Sequence, residues 1–365
     1  MLPEARISIT LKVSGTKVSG VRVGSTRLVH ASRLFAGRKP HEVAVLLPTV
    51  FSLCGTAQRQ ACIAAVEGAA ACPPSPNHSK ARQAAVLAET VSELGLGMLR
   101  DWPAQIGAPA DLAAAKDLRV AMVAAVKGDA SAVARGRMVL ASLLGAAPET
   151  VLADVGAFRD WVARATTPAA RLFATILDEG LAGFGATTFR PMPAGGPADM
   201  AERLAGDEDG SYVARPEGGY ETGPLARRAA HPLLAGLMGE FGNGLLARLA
   251  ARLVETESSL HELDRIVQDF GADAMPAAGL ADGAGDGTGV GLIEAARGLL
   301  AHRVELEDGR VKRYQILAPT EWNFHPAGPL VHGLLGAHAD AGLVRRAEFL
   351  AQALDPCVTC TVALE

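Results

Sequence analysis

The sequence predicts an α+β protein with a central helix bundle and small β elements near both termini. Three observations carry this prediction. Residues 5–30 alternate apolar and polar, long stretches between 41 and 268 repeat with helical period, and a hairpin signal returns after residue 300. The composition is that of a folded chain: 365 residues, 49% hydrophobic and 20% charged. Those values exclude disorder and collagen, and no long heptad pattern supports a coiled coil. A formal net charge of -4 also argues against a nucleic-acid partner, because phosphate binding needs a basic face.

The elements follow in order. Ile7, Ile9, Leu11 and Val13 alternate, Ser14-Gly15-Thr16-Lys17 reads as a turn, and Val18, Val21 and Val23 return as a second strand. Residues 1–40 therefore form a β-rich N-terminal part. Residues 41–190 form a first helical part: an apolar segment over 41–53, an Ala-rich helix from Gln58 to Gly68, and a helix from Lys80 to Leu99 that Asp101-Trp102-Pro103 ends. Further helices are expected at 109–127, 130–145, 149–165 and 168–180. Residues 192–220 are rich in glycine and acidic residues and read as a flexible loop. Residues 232–268 read as one or two amphipathic helices that carry Arg248 and Arg252 at i,i+4 spacing. Residues 272–291 are Gly/Ala-rich and read as a second flexible loop, one without the Gly-Lys-[Ser/Thr] ending of a phosphate loop. Residues 292–365 form the C-terminal part, with a hairpin of His302–Leu306 and Val311–Leu317 and a helix near 329–353. The whole of 1–365 reads as a single domain.

Arg6 interrupts the N-terminus and no apolar core of a secretory signal follows. The longest apolar stretch, Val43 to Leu53, is broken by Pro48 and too short to span a bilayer. The expected compartment is the cytoplasm, where thiols stay reduced, and no membrane insertion is expected. The five cysteines, an odd number, do not read as a disulfide framework. Cys62 and Cys72 read as small buried hydrophobes. Cys54, Cys357 and Cys360 sit near opposite ends of the chain, as a site closed by the fold requires. The C-x-x-C pair Cys357 and Cys360 alone is ambiguous among zinc, thiol redox and another thiophilic metal. No second such pair supports zinc, and its place at the chain end does not suit a thioredoxin motif. Asp355-Pro356 reads as the turn that presents Cys357. His302 and His325 read as structural hydrogen bonders, and Trp102, Trp161 and Trp322 as core.

Six segments in order carry a family resemblance. They are Phe35-x-Gly37-Arg38-x-Pro40, Leu53-Cys54-Gly55-Thr56-Ala57, Gly223-Pro224-Leu225-Ala226-Arg227, Glu294-Ala295-Ala296-Arg297-Gly298, Tyr314-Gln315-x-x-x-Pro319-Thr320-x-Trp322-Asn323, and Asp355-Pro356-Cys357-x-x-Cys360. Across almost the whole chain this pattern resembles the large subunit of nickel-iron hydrogenases. It implies a hydrogenase-large-subunit-like fold. It also implies metal ligation by Cys54, Cys357 and Cys360, with Arg297, Thr320 and Pro319 facing the diatomic ligands of an iron. In that family four thiolates hold nickel and two of them bridge to the iron. Here Ala57 stands at one bridging position, Ser52 at the leading arginine, Ala61 at a histidine and Ala363 at the terminal histidine.

With one thiolate missing, the chain is similar to the HupK/HoxV-type hydrogenase expression/formation proteins, to which Phe51–Gln58 and Leu99–Pro103 also correspond. The resemblance implies a scaffold or carrier that transiently binds the Fe(CN)2(CO) unit, without nickel and without being an enzyme. Its implied partners are the hydrogenase large-subunit precursor and the HypC/HypD-type maturation proteins. The alternatives are a divergent hydrogenase large subunit and a metal-free chaperone of that subunit. The chain ends two residues past Ala363, so no C-terminal processing is expected.

Overall fold

The computed structural model describes residues 5–26, 31–192, 196–207, 211–214, 216, 218–271 and 286–365. It divides into two units, Met1–Pro73 with Phe184–Arg227 and Gly279–Glu365, and Pro74–Gly183 with Arg228–Ala278.

The first unit holds two three-stranded sheets. Strands β1 (Arg6–Ser14) and β2 (Lys17–Ser25) form the expected antiparallel hairpin. A last strand, β6 (Thr359–Leu364), lies parallel to β1 with Ile7 opposite Cys360. Ile7, Ile9, Leu11 and Val18 face helices Pro329–Leu334 and Leu343–Ala353 through Leu330, Leu334, Ala347 and Leu350. The second sheet has the order β3 (Gly287–Ala295), β4 (Gly298–Glu307), β5 (Arg310–Leu317), all antiparallel.

Both faces of that sheet are covered, which is why β4 is buried along almost its whole length. On one face lie helices α1 (Pro40–Val50) and α2 (Gly55–Ala69), with Val43, Leu47, Ile63 and Val66 packed on Val304, Leu306 and Tyr314. On the other face Met200 and Leu204 of helix Gly196–Gly206 meet Leu299, Ala301 and Leu317.

The loop expected at 272–291 is therefore corrected at its end, since residues 287–291 are strand; residues 272–285 lie outside the described residues. The alternating glycines of β3 provide closeness to α2. A Cβ on Gly289 would come 2.0 Å from the Ala65 carbonyl oxygen, and one on Gly291 would come 2.1 Å from that of Ala61. Small residues on both elements let helix backbone lie directly on strand backbone.

The loop expected at 192–220 is corrected as well. It contains the helices Gly196–Gly206 and Ser211–Ala214, while residues 193–195, 208–210, 215 and 217 lie outside the described residues. Asp207 organises the passage: its carboxylate accepts from the backbone N–H of Tyr212 and Val213, and from Gln315 Nε2 at 2.9 Å.

The second unit is helical. Its long members are Pro76–Leu96, Leu112–Ala125, Ala130–Leu144 and Leu245–Phe270. Ser75, Asp111 and Asp129 accept from helix-start N–H groups, satisfying donors that have no partner inside the helix. Trp102 and Trp161 are buried and meet Phe173 at centroid distances of 5.6 Å and 5.7 Å. The helix expected to end at Asp101-Trp102-Pro103 instead passes through a π turn, Gly97–Asp101, into a short helix Trp102–Gln105. Pro103 cannot donate to the Leu99 carbonyl four residues back, and that carbonyl instead accepts from the Asp111 N–H at 2.9 Å. No helix among the described residues is long and apolar enough to cross a membrane.

Candidate functional site

Three of the recurring segments dock on one another in the first unit. The Asn323 side chain makes two bonds with the Thr222 backbone, accepting from its N–H and donating to its carbonyl, each at 3.0 Å. The Thr222 hydroxyl accepts from the Leu299 N–H at 2.8 Å, and Arg227 pairs with Glu294 at 2.8 Å. Gly298 has φ +132°, and a Cβ there would come 2.6 Å from the Thr222 hydroxyl oxygen, so the β3–β4 turn admits only glycine. This clamp fixes the backbone on both sides of Arg297.

Arg297 is 11% exposed at its side chain and lies 3.5 Å from the Asp355 carboxylate. Asp355 has φ +50°, a left-handed conformation that Asp tolerates. It turns the chain at the end of helix Leu343–Ala353, as expected of Asp355-Pro356. Cys357 follows, and its sulfur lies 3.5 Å from the Thr320 hydroxyl. Thr320 owes its direction to Pro319, whose ring presets φ at the start of helix Pro319–Asn323. The structure thus sets Arg297 against Asp355, two residues before Cys357, and sets the Cys357 sulfur against Thr320, which follows Pro319.

Cys54 stands at the N-terminal boundary of α2 and makes no side-chain capping bond. Its sulfur accepts from Gln58 Nε2 at 3.5 Å. One turn into the helix, Ala57 and Ala61 are fully buried in an apolar cluster with Ala295, Leu300 and Ala318. Ala295 and Ala318 are the residues that lead into Arg297 and Thr320, so the Cys54 helix and the Arg297 group stand on one floor. At Ala57 that floor presents a methyl group, which ligates nothing.

Cys360 lies in β6. In β6, Val358, Cys360 and Val362 alternate onto the cluster beneath helix Leu343–Ala353. Burial, with Glu348 beside it, pushes the Cys360 thiol up to about 11, so it stays protonated at neutral pH. Convergence of the three thiols is not seen: among the described residues no group of three His, Cys, Asp or Glu side chains is placed to hold a metal ion. The physical reason is the pairing of β6 with β1, which makes the C-x-x-C segment strand from Thr359 onward.

His302 is fully buried and structural, as read from sequence, with bonds to Gln58 and Tyr314. His325 accepts from the Ala327 N–H. Gln58, Tyr314 and Asn323 stood inside the quoted segments with no role assigned to them, and Thr222, just before Gly223, was not singled out. Cys54, Gln58 and Cys62 stand at i, i+4 and i+8, which puts them on one helix face, and that spacing was the available signal.

The nickel-dependent hydrogenase family matches residues 234–363. The chain is 34% identical to the hydrogenase expression/formation protein HupK of Rhizobium leguminosarum bv. viciae, across 98% of this chain and 96% of that one. It is 31% identical to the hydrogenase expression/formation protein HoxV of Cupriavidus necator, across 91% of this chain and 90% of that one. Its fold is similar to that of the Ni-Fe-Se hydrogenase from Desulfomicrobium baculatum, with a TM-score of 0.61 at 16% identity over 95% of each chain. With near-complete coverage and the motif clamp in place, the chain belongs to the HupK/HoxV-type hydrogenase expression/formation proteins and has the fold of a nickel-iron hydrogenase large subunit.

Proposed function

We propose that this chain serves the maturation of a nickel-iron hydrogenase, in the cytoplasm, as a scaffold or carrier whose cargo is the Fe(CN)2(CO) unit. The observation that supports this reading is the pair of contacts at the motif clamp, Thr320 with Cys357 and Arg297 with Asp355 two residues before it, while Ala57 puts a methyl group at the place of a fourth thiolate. The donor set suits that cargo. Soft sulfur from Cys357 and Cys54 binds iron, and the guanidinium and hydroxyl donate to cyanide nitrogens. Fewer thiolate bonds mean weaker retention, which a protein that must hand on its cargo needs. Cys360, packed under helix Leu343–Ala353, is left out of this ligand pair. The partners of such a role are the large-subunit precursor, which receives the unit, and HypC/HypD-type proteins, which supply it.

The test is an infrared spectrum with metal analysis of protein purified anaerobically from cells that make the maturation proteins. Iron with cyanide and carbon monoxide bands, without nickel, is expected. Absence of the bands would make the protein a metal-free chaperone. Stoichiometric nickel with hydrogen-dependent dye reduction would make it an enzyme.

A further inference from the structure

Behind Cys54 runs a buried chain of hydrogen bonds that ends on a second thiol. Gln58 Nε2 lies 3.5 Å from the Cys54 sulfur, and Gln58 Oε1 lies 2.8 Å from His302 Nε2. His302 Nδ1 lies 2.7 Å from the Tyr314 hydroxyl, which in turn is bonded to Cys62. Helix α2 contributes Cys54, Gln58 and Cys62 from one face, β4 contributes His302 and β5 contributes Tyr314. His302, Tyr314 and Cys62 are each buried, so no solvent interrupts the series.

Such a chain has two orderings, each all-or-none. The Gln58 carbonyl oxygen cannot donate, so with Nε2 on the sulfur His302 must carry its proton on Nε2. A neutral imidazole then accepts at Nδ1 from the Tyr314 hydroxyl, and the Cys62 S–H donates to the Tyr314 oxygen. Burial supports a neutral ring, holding the imidazole down to about 3, and it pushes the Cys62 thiol up to about 12, so Cys62 keeps its proton to donate. The reversed ordering needs a proton on the Cys54 sulfur. The structure has Nε2, not Oε1, on that sulfur, so the first ordering is the one present without metal, and a metal-bound thiolate, which can only accept, keeps it.

We infer that Gln58, His302 and Tyr314 are positioning residues that keep an N–H donor on the Cys54 sulfur and so make Cys54 the weaker, release-prone sulfur donor to cargo iron. A hydrogen bond to a thiolate withdraws charge that would otherwise go to the metal. The consequence for iron rests on the carrier reading; the proton ordering does not.

Two measurements keep them distinguishable. On cargo-free protein labelled with 15N-histidine, two-bond 15N–1H spectra should show His302, assigned by its loss in His302→Gln, protonated on Nε2. A proton on Nδ1 would overturn the ordering whether or not cargo binds. On cargo-loaded protein, Gln58→Leu should move the carbon monoxide band to lower frequency. It should also slow loss of the bands to a chelator roughly fivefold, as expected for one net hydrogen bond. Cys62→Ala, at the far end, should change neither. Unchanged band position and loss rate in Gln58→Leu would refute the role of the chain in release. No bands in the unsubstituted protein would refute the carrier reading and the consequence for iron together, while the ordering would stand or fall on the histidine spectrum.

Discussion

His302 has no solvent exposure, and burial lowers its imidazole from 6.5 to about 3. Stability should therefore depend on pH through this one residue. Below pH 6.5 the unfolded chain binds a proton there that the folded chain refuses until about pH 3, so stability falls as pH falls through that window. The two-state proton binding gives a loss of about 2 kcal/mol from about pH 7 to about pH 5, approaching 1.4 kcal/mol per further unit. The perturbation is His302→Gln, which keeps an amide donor and acceptor but removes the titration. The assay is urea unfolding at both pH values, with the slope against urea as the check that the exposed surface is unchanged. The unsubstituted protein should lose about 2 kcal/mol more stability than the variant over that interval. Carboxylates held low by their partners, such as Glu305 beside Lys312, are common to both proteins and cancel. Equal losses would mean that His302 titrates normally in the folded protein, and the buried hydrogen-bond chain would then be wrong.

Gly291→Ala should cost upwards of 2 kcal/mol, because its Cβ has nowhere to go but the backbone of α2, while Gly239→Ala, with nothing within 4 Å, should be neutral or mildly stabilising; thermal unfolding of both variants checks this. Thr222→Val strips the hydroxyl from the Leu299 N–H inside the clamp, so a loss of about 1–3 kcal/mol in urea unfolding is expected, together with weakened cyanide and carbon monoxide bands. Cys357→Ala should fold cooperatively, at a cavity cost on the order of 1 kcal/mol, yet lack the infrared bands. Cys360→Ala should fold and keep them; loss of the bands there would put Cys360 in the ligand set despite its place in β6.

The hairpin β1–β2 was legible because apolar alternation and its turn lie within twenty residues. The long helices were legible because period and caps are local. β3 was misread because G-x-G-x-G has the composition of a flexible linker, and only the presence of α2 against it turns small residues into a packing requirement. β6 was not legible: a six-residue strand whose partner begins at Arg6 carries no local sign of that pairing. At the site, the ordered segments pointed to Arg297, Thr320 and Cys357; the structure sets Arg297 beside Asp355 and Cys357 beside Thr320. The position of Cys360 depends on a strand pairing that its spacing from Cys357 does not announce. Gln58 meets His302 across 244 residues, and one of two glutamines in an Ala-rich helix gives no hint of such a partner.

The carrier claim is tested most directly by transfer. Anaerobically purified, cargo-loaded protein is mixed with cargo-free hydrogenase large-subunit precursor, the two are separated by size, and the infrared spectrum of each is recorded. The account predicts that the cyanide and carbon monoxide bands leave this chain and appear on the precursor, with no transfer from a Cys357→Ala preparation. Bands that stay on this chain while the precursor remains empty would contradict it.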